Sequence, residues 1–128
     1  MELLQSRTLV TPTDFGFARS RCEAFGMRSL RMYGPLDDPA GVVFATGGGG
    51  ALEISRHAGP PPSGLRLWVH VPSITDAVEE LVARAYPGRI GSIEHQPWGL
   101  IECDVDLFDG VSAVLVEVPR DHPLHWRG

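Results

Sequence analysis

The strongest constraint on what this 128-residue chain can fold into is an internal repeat. A shift of 60 residues lays Pro72 on Pro12 and Gly110 on Gly50, and a shift near 58 lays Gly99 on Gly41. The alternation and punctuation of the two halves follow one plan. In the first, Arg7–Thr11 alternates and ends at Pro12, and Thr13 or Asp14 is an N-cap for a helix through about Phe25, stopped by Gly26. Strand-like runs follow at Met27–Tyr33, Gly41–Thr46 and Ala51–Arg56, separated by turns at 34–39 and Gly47–Gly50. In the second, Leu65–Val71 is a strand, Pro72-Ser73 opens a helix through Ala85 that Pro87-Gly88 ends, and Arg89–His95, Trp98–Asp106 and Ser112–Val118 follow. The chain thus reads as βαβββ written twice, over about 5–56 and 65–119, within a single domain spanning 1–128. Residues 57–64, with three consecutive prolines, are stiff and serve as the linker.

Two such units each bury one sheet face under their own helix. In the second helix Ala77, Val78, Leu81, Val82 and Ala85 form the apolar stripe, with Glu79, Glu80 and Arg84 opposite. On Leu65–Val71 the residues Leu65, Leu67, Val69 and Val71 point towards that helix. Arg66, Trp68 and His70 point the other way, to solvent or a concave binding surface.

Composition removes several functions. All eleven basic residues are Arg, and both Lys and Asn are absent, which excludes Schiff-base chemistry, Walker-type phosphate loops and Asn-capped catalytic triads. The net charge of −5, concentrated in residues 65–128, argues against a nucleic-acid partner, which would need a basic stripe. No apolar run approaches the roughly 18 residues needed to span a bilayer, so no membrane partner is expected. The first residues lack the pattern of a signal peptide, and the expected location is cytoplasmic. Cys22 and Cys103 have no CxxC spacing and read as buried free thiols.

Particular segments resemble the vicinal oxygen chelate superfamily, which contains glyoxalase I, extradiol dioxygenases and bleomycin-resistance proteins. They are Val10-Thr11-Pro12-Thr13-Asp14 leading into a helix that ends at Phe25-Gly26-Met27, Gly41-Val42-Val43-Phe44, Ala51-Leu52-Glu53-Ile54, the run from Leu67 to Ala77, Trp98-Gly99, Asp109-Gly110 and Leu115–Pro119. The resemblance covers nearly the whole chain and rests on the order and spacing of these segments. It implies an α+β fold: two tandem βαβββ modules forming a curved, cleft-lined mixed sheet with helices on the outer face. One departure is that the family's aromatic pair late in the first helix is replaced near Cys22-Glu23.

Metal-dependent members of that superfamily place His, Gln or Glu on the first and last strands of each repeat. The matching positions here are Arg7, Glu53, Arg66 and, within one residue, Val114. Two guanidiniums repel a metal ion, and one carboxylate falls short of three ligands. No metal and no cofactor is therefore expected, and no catalytic residue is assigned. Arg7, Glu53 and Arg66 meeting in one concavity would instead make a fixed polar constellation for an anionic or hydrogen-bonding ligand. The same three residues would equally serve as a structural ion-pair network across the pseudo-two-fold. Trp68 and Trp98 are candidate stacking walls for a planar ligand, or else core or interface residues.

Glu102, Asp104 and Asp106 alternate along one strand face and read as a solvated face, with Glu102 the one placed to turn inward towards a cationic ligand. The Gly47–Gly50 run is a hairpin turn needing positive φ. Asp121-His122-xx-His125 has ligand-capable spacing in a Pro-containing tail, where exposure or adventitious metal binding is the simpler account. The resulting expectation is a metal-independent small-molecule-binding protein of the glyoxalase/bleomycin-resistance type, sequestering an antibiotic or metabolite, with a homodimer completing its pocket. The alternatives are a metal-dependent lyase, isomerase or dioxygenase of the same superfamily, and an interaction module with no small ligand.

Overall fold

The structure is a computed structural model in which residues 1–124 are described. Its elements run β1 (Ser6–Val10), α1 (Phe15–Phe25), β2 (Ser29–Tyr33), β3 (Gly41–Gly47), β4 (Gly50–Ser55), β5 (Leu65–His70), α2 (Ile74–Ala83), β6 (Glu94–His95), β7 (Ile101–Phe108) and β8 (Val111–Glu117). The βαβββ order therefore occurs twice. Each repeat builds its own four-stranded mixed sheet, in the orders β1-β4-β3-β2 and β5-β8-β7-β6. The chain divides into two compact units: Met1–Leu65 with Leu107–Val111, and Arg66–Asp106 with the described residues from Ser112 onwards. Among the described residues, no helix is long and apolar enough to cross a membrane.

In the first unit, Asp14 caps α1 by accepting the Phe17 N–H at 3.0 Å, and Gly26 ends it in a left-handed conformation (φ 105°). The helix buries Phe15, Ala18 and Cys22 and packs against β4. Val42, Phe44, Leu52 and Ile54 are almost fully buried in the same unit. Each large side chain so buried contributes about 1.5–3 kcal/mol. β1 runs parallel to β4, with Leu9 beside Glu53, while β3 is antiparallel to both β4 and β2. The β3–β4 turn has positive φ at Gly47, Gly48 and Gly49, as a tight glycine hairpin requires. Since register partners share a face, Val10, Leu52, Ile54, Val42 and Phe44 lie on one side, and Arg7, Leu9, Glu53, Ser55, Gly41 and Tyr33 on the other.

In the second repeat, backbone bonds from Val71 N to Val116 O (2.8 Å) and, at the other end of β5, from Leu65 N to Gly110 O (2.9 Å) advance together along both strands, so β5 runs parallel to β8. Ser73 caps α2 by accepting the Asp76 N–H at 3.2 Å. The Glu117 carboxylate at the end of β8 accepts the Ile74 N–H at 2.9 Å, so a second unpaired donor of the helix start is satisfied by the sheet. On β5 the residues Leu65, Leu67 and Val69 are half-buried and Arg66, Trp68 and His70 exposed, the phase expected from the sequence.

Several boundaries differ from the sequence reading: β7 runs Ile101–Phe108 in place of the expected Trp98–Asp106, and β2 starts at Ser29 in place of the expected Met27. α2 ends at Ala83, ahead of the expected Ala85, because Arg84 is its cap and Ala85 takes a left-handed φ of 55°. That turn sends Tyr86 back into the core, where it is buried and its hydroxyl donates to the Asp106 carbonyl at 2.6 Å. The expected strand Arg89–His95 shrinks to Glu94–His95, preceded by an isolated bridge from Ile90 to Val105. Gly91 interrupts the ladder by close approach: its N–H donates to the Asp104 carbonyl at 2.7 Å and its own carbonyl accepts the Cys103 thiol at 3.3 Å.

Candidate functional site

The register of the first sheet places Glu53 in the centre of the face turned away from α1. Its carboxylate is held from both sides. Arg7 on β1 donates to Oε1 at 2.8 Å, and the Tyr33 hydroxyl on β2 donates to Oε2 at 2.9 Å. The Glu53 side chain is only 16% exposed, and Arg7 is 36% exposed. Tyr33 reaches Glu53 from two strands away because Gly41 on β3 lies between them without a side chain. A methyl group on Gly41 would fall on the Tyr33 ring. Burial pushes the Tyr33 hydroxyl above its ordinary pKa, and the Glu53 carboxylate beside it adds to the rise; the Ser55 hydroxyl and Arg31 oppose it. Tyr33 thus stays protonated and acts as a donor to Glu53. The Arg31 guanidinium stands 5.9 Å from the centre of its ring.

This polar row floors a cleft of about 510 Å³ whose lining includes Leu9, Thr11, Tyr33, Glu53, Ser55 and His57, with Ala58, Gly59, Pro60 and Pro62 forming a wall. The 57–64 segment therefore supplies a side of the cleft as well as a connection between repeats. The volume falls in the range that drug-sized ligands occupy.

The structure brings Arg7 and Glu53 together directly. It pairs Arg66 with Asp104 of its own unit, at 2.9 Å and with both side chains exposed. Trp98 and Glu102 are joined: the indole N–H donates to Oε2 at 3.0 Å. Both indoles present apolar surface, Trp68 at 53% and Trp98 at 57% exposure. Of the alternating carboxylates, Asp104 and Asp106 are exposed and Glu102 is half-buried. Asp106 is paired with Arg89 at 3.4 Å. His122 is used structurally: Nδ1 accepts the Leu124 N–H at 3.1 Å, so Nε2 carries the proton and donates to the Trp98 carbonyl at 2.9 Å. His125 lies outside the described residues. Cys22 and Cys103 are buried free thiols, and burial pushes Cys22 up to about 12 and raises Cys103.

Tyr33, Ser55 and His57 escaped the sequence reading. The signal for the last two was present, since Glu53, Ser55 and His57 alternate; the signal for Tyr33 was the glycine inside the Gly41 strand, which marks a close approach.

The surroundings of Glu53 do not fit a metal ion. Glu53 has an Arg and a Tyr proton on its two oxygens, and a guanidinium stands at position 7. Among the described residues, no three His, Cys, Asp or Glu side chains gather where they could hold a metal.

No protein-family model and no curated protein matches the chain. Solved structures do. A glyoxalase/bleomycin resistance protein from Catenulispora acidiphila superposes with a TM-score of 0.69 at 17% identity, covering 91% of this chain and 100% of that one. TnmS3, an antibiotic-binding protein from a Streptomyces species, gives 0.71 at 18% identity over 92% of this chain and 98% of its own. A bleomycin-binding protein complexed with bleomycin gives 0.64 at 16% identity over 93% and 100%. At these identities the likeness is one of fold, and the fold is that of the superfamily the sequence resembles.

Proposed function

We propose that this chain, which has the glyoxalase/bleomycin-resistance fold, is a metal-independent small-molecule-binding protein that sequesters an antibiotic or metabolite. The observation that carries the reading is the state of Glu53. A carboxylate at a position that resembles a metal ligand is instead locked by Arg7 and Tyr33 into a fixed hydrogen-bonding floor beneath a cleft of about 510 Å³. A floor fixed in advance binds without the cost of ordering its polar groups. Structural neighbours that bind bleomycin or another antibiotic support the same reading.

Within this proposal residues 1–128 act as one domain, and Arg66, Trp68, Trp98 and Glu102 form a separate candidate set of ligand contacts within the second unit. The protein acts as a homodimer in the cytoplasm, with neither nucleic acid nor membrane as partner. The edge strand β1 supports the homodimer, with Leu9 exposed at 68%. The two free thiols suit a reducing compartment. The test is native mass spectrometry of chelator-treated protein against a panel of planar antibiotics that do not themselves bind metal. One ligand retained per site, unchanged by added Zn²⁺ or Mn²⁺, is the expected result; ligand retention only after metal is restored would overturn it.

A further inference from the structure

The side-chain hydrogen bonds at the floor of the cleft in the first unit converge on Glu53. Arg7 and Tyr33 both donate to Glu53, and the His57 backbone N–H donates to the Ser55 hydroxyl oxygen at 3.3 Å. The phenol proton and one Arg7 N–H are spent on Glu53. What the floor still offers at Glu53 is acceptor capacity: each Glu53 oxygen has used one of about two lone-pair sites, and the Ser55 oxygen, which takes the His57 N–H, keeps one.

Charge narrows the choice further. Glu53 is the one formally charged side chain among the described residues that line the cleft, and Arg7 neutralises it from outside at 2.8 Å. An anion would meet the Glu53 carboxylate. A cation would meet a carboxylate already paired, and would give up its hydration for no net attraction. The remaining walls are mostly apolar, formed by Leu9, Val10, Ala58, Pro60 and Pro62, with the Thr11 and His57 side chains beside them.

We infer that the cleft between the first sheet and the 57–62 segment selects a neutral, flat, largely apolar ligand group that carries a hydrogen-bond donor, such as a phenolic hydroxyl or an amide N–H, and delivers that donor to Glu53. The inference rests on the small-molecule-binding reading and specifies which chemistry this cleft takes. It separates this cleft from the exposed Trp68 and Trp98 indoles of the other unit, where Glu102 and Asp104 suit a different ligand group.

A matched set of four probes tests it on the full-length chain: 2-naphthol, 2-methoxynaphthalene, 2-naphthoate and 2-naphthylmethylammonium, titrated while the methyl resonances of Leu9 and Ala58 are followed by NMR. The expected result is that 2-naphthol shifts these methyls with an affinity at least tenfold above each of the other three, and that Glu53→Gln loses most of that preference. The ranking on the unsubstituted protein stands by itself if Glu53→Gln does not fold. A charged probe binding as tightly at these methyls, or 2-naphthol perturbing the indoles of Trp68 and Trp98 alone, overturns the inference while leaving small-molecule binding intact. Failure of every probe and every antibiotic to bind anywhere on the chain would remove both.

Discussion

At Gly41 the missing side chain is itself structural, because the Tyr33 ring occupies the space a Cβ would take and so reaches Glu53 across β3. Gly41→Ala is expected to expel the ring and cost about 2 kcal/mol, in the range of overpacking. Tyr33→Phe keeps the ring, removes one hydrogen bond and should cost about 1 kcal/mol. Urea titrations of the two variants order them, and a Gly41→Ala protein as stable as the wild type would show that the ring does not lie there. Ala85 presents the opposite case, a non-glycine residue held at φ 55°. Ala85→Gly should raise stability by up to about 1 kcal/mol, since glycine takes the left-handed region without the Cβ penalty. Cys22 gives a pH signature. Its thiol rises from 9.0 to about 12 on folding, so the stability it carries is present below pH 9 and is lost as pH climbs towards 12. Unfolding free energy should therefore fall above pH 9 with a slope approaching about 1.4 kcal/mol per pH unit for each such group. Cys22→Ala should flatten that slope, with Cys103 and Tyr33, raised in the same direction, supplying what remains.

Among the elements, the linker is more closely bound to the fold than its composition suggests. A Cβ on Gly110, at φ 82° in the β7–β8 turn, would collide with the Pro62 carbonyl, which is backbone and cannot swing aside. Gly110→Ala is expected to cost about 3 kcal/mol, from a left-handed residue and a backbone clash together, and to loosen the proline wall of the cleft. Chemical denaturation measures the first effect and proteolysis within 57–64 the second. Element order was legible from alternation, helix caps and turn glycines, because each is set by neighbours in sequence: Asp14, Gly26 and Ser73 act where their residue types predict. The site was legible only in part. Arg7 and Glu53 share a face whatever the strand order, but Tyr33 reaches them only through the order β1-β4-β3-β2, and Arg66 finds Asp104 only through β5-β8-β7. Such pairings depend on non-local strand neighbours that periodicity does not specify.

For the whole molecule, the two repeats share an architecture and differ in chemistry. The first gathers its polar groups around one neutralised carboxylate, whereas the second carries the chain's excess of negative charge and two exposed indoles. The proposed homodimer predicts a mass near twice 13.9 kDa in light scattering. A species of 13.9 kDa at micromolar concentration would contradict it. Binding without a metal is the central claim, and elemental analysis of the purified, tag-free protein tests it most directly. The account predicts well under one equivalent of any transition metal per chain, with Glu53→Ala no different from the wild type. A stoichiometric metal that disappears in Glu53→Ala would contradict it, and would make Glu53 a ligand instead of an acceptor held by Arg7 and Tyr33.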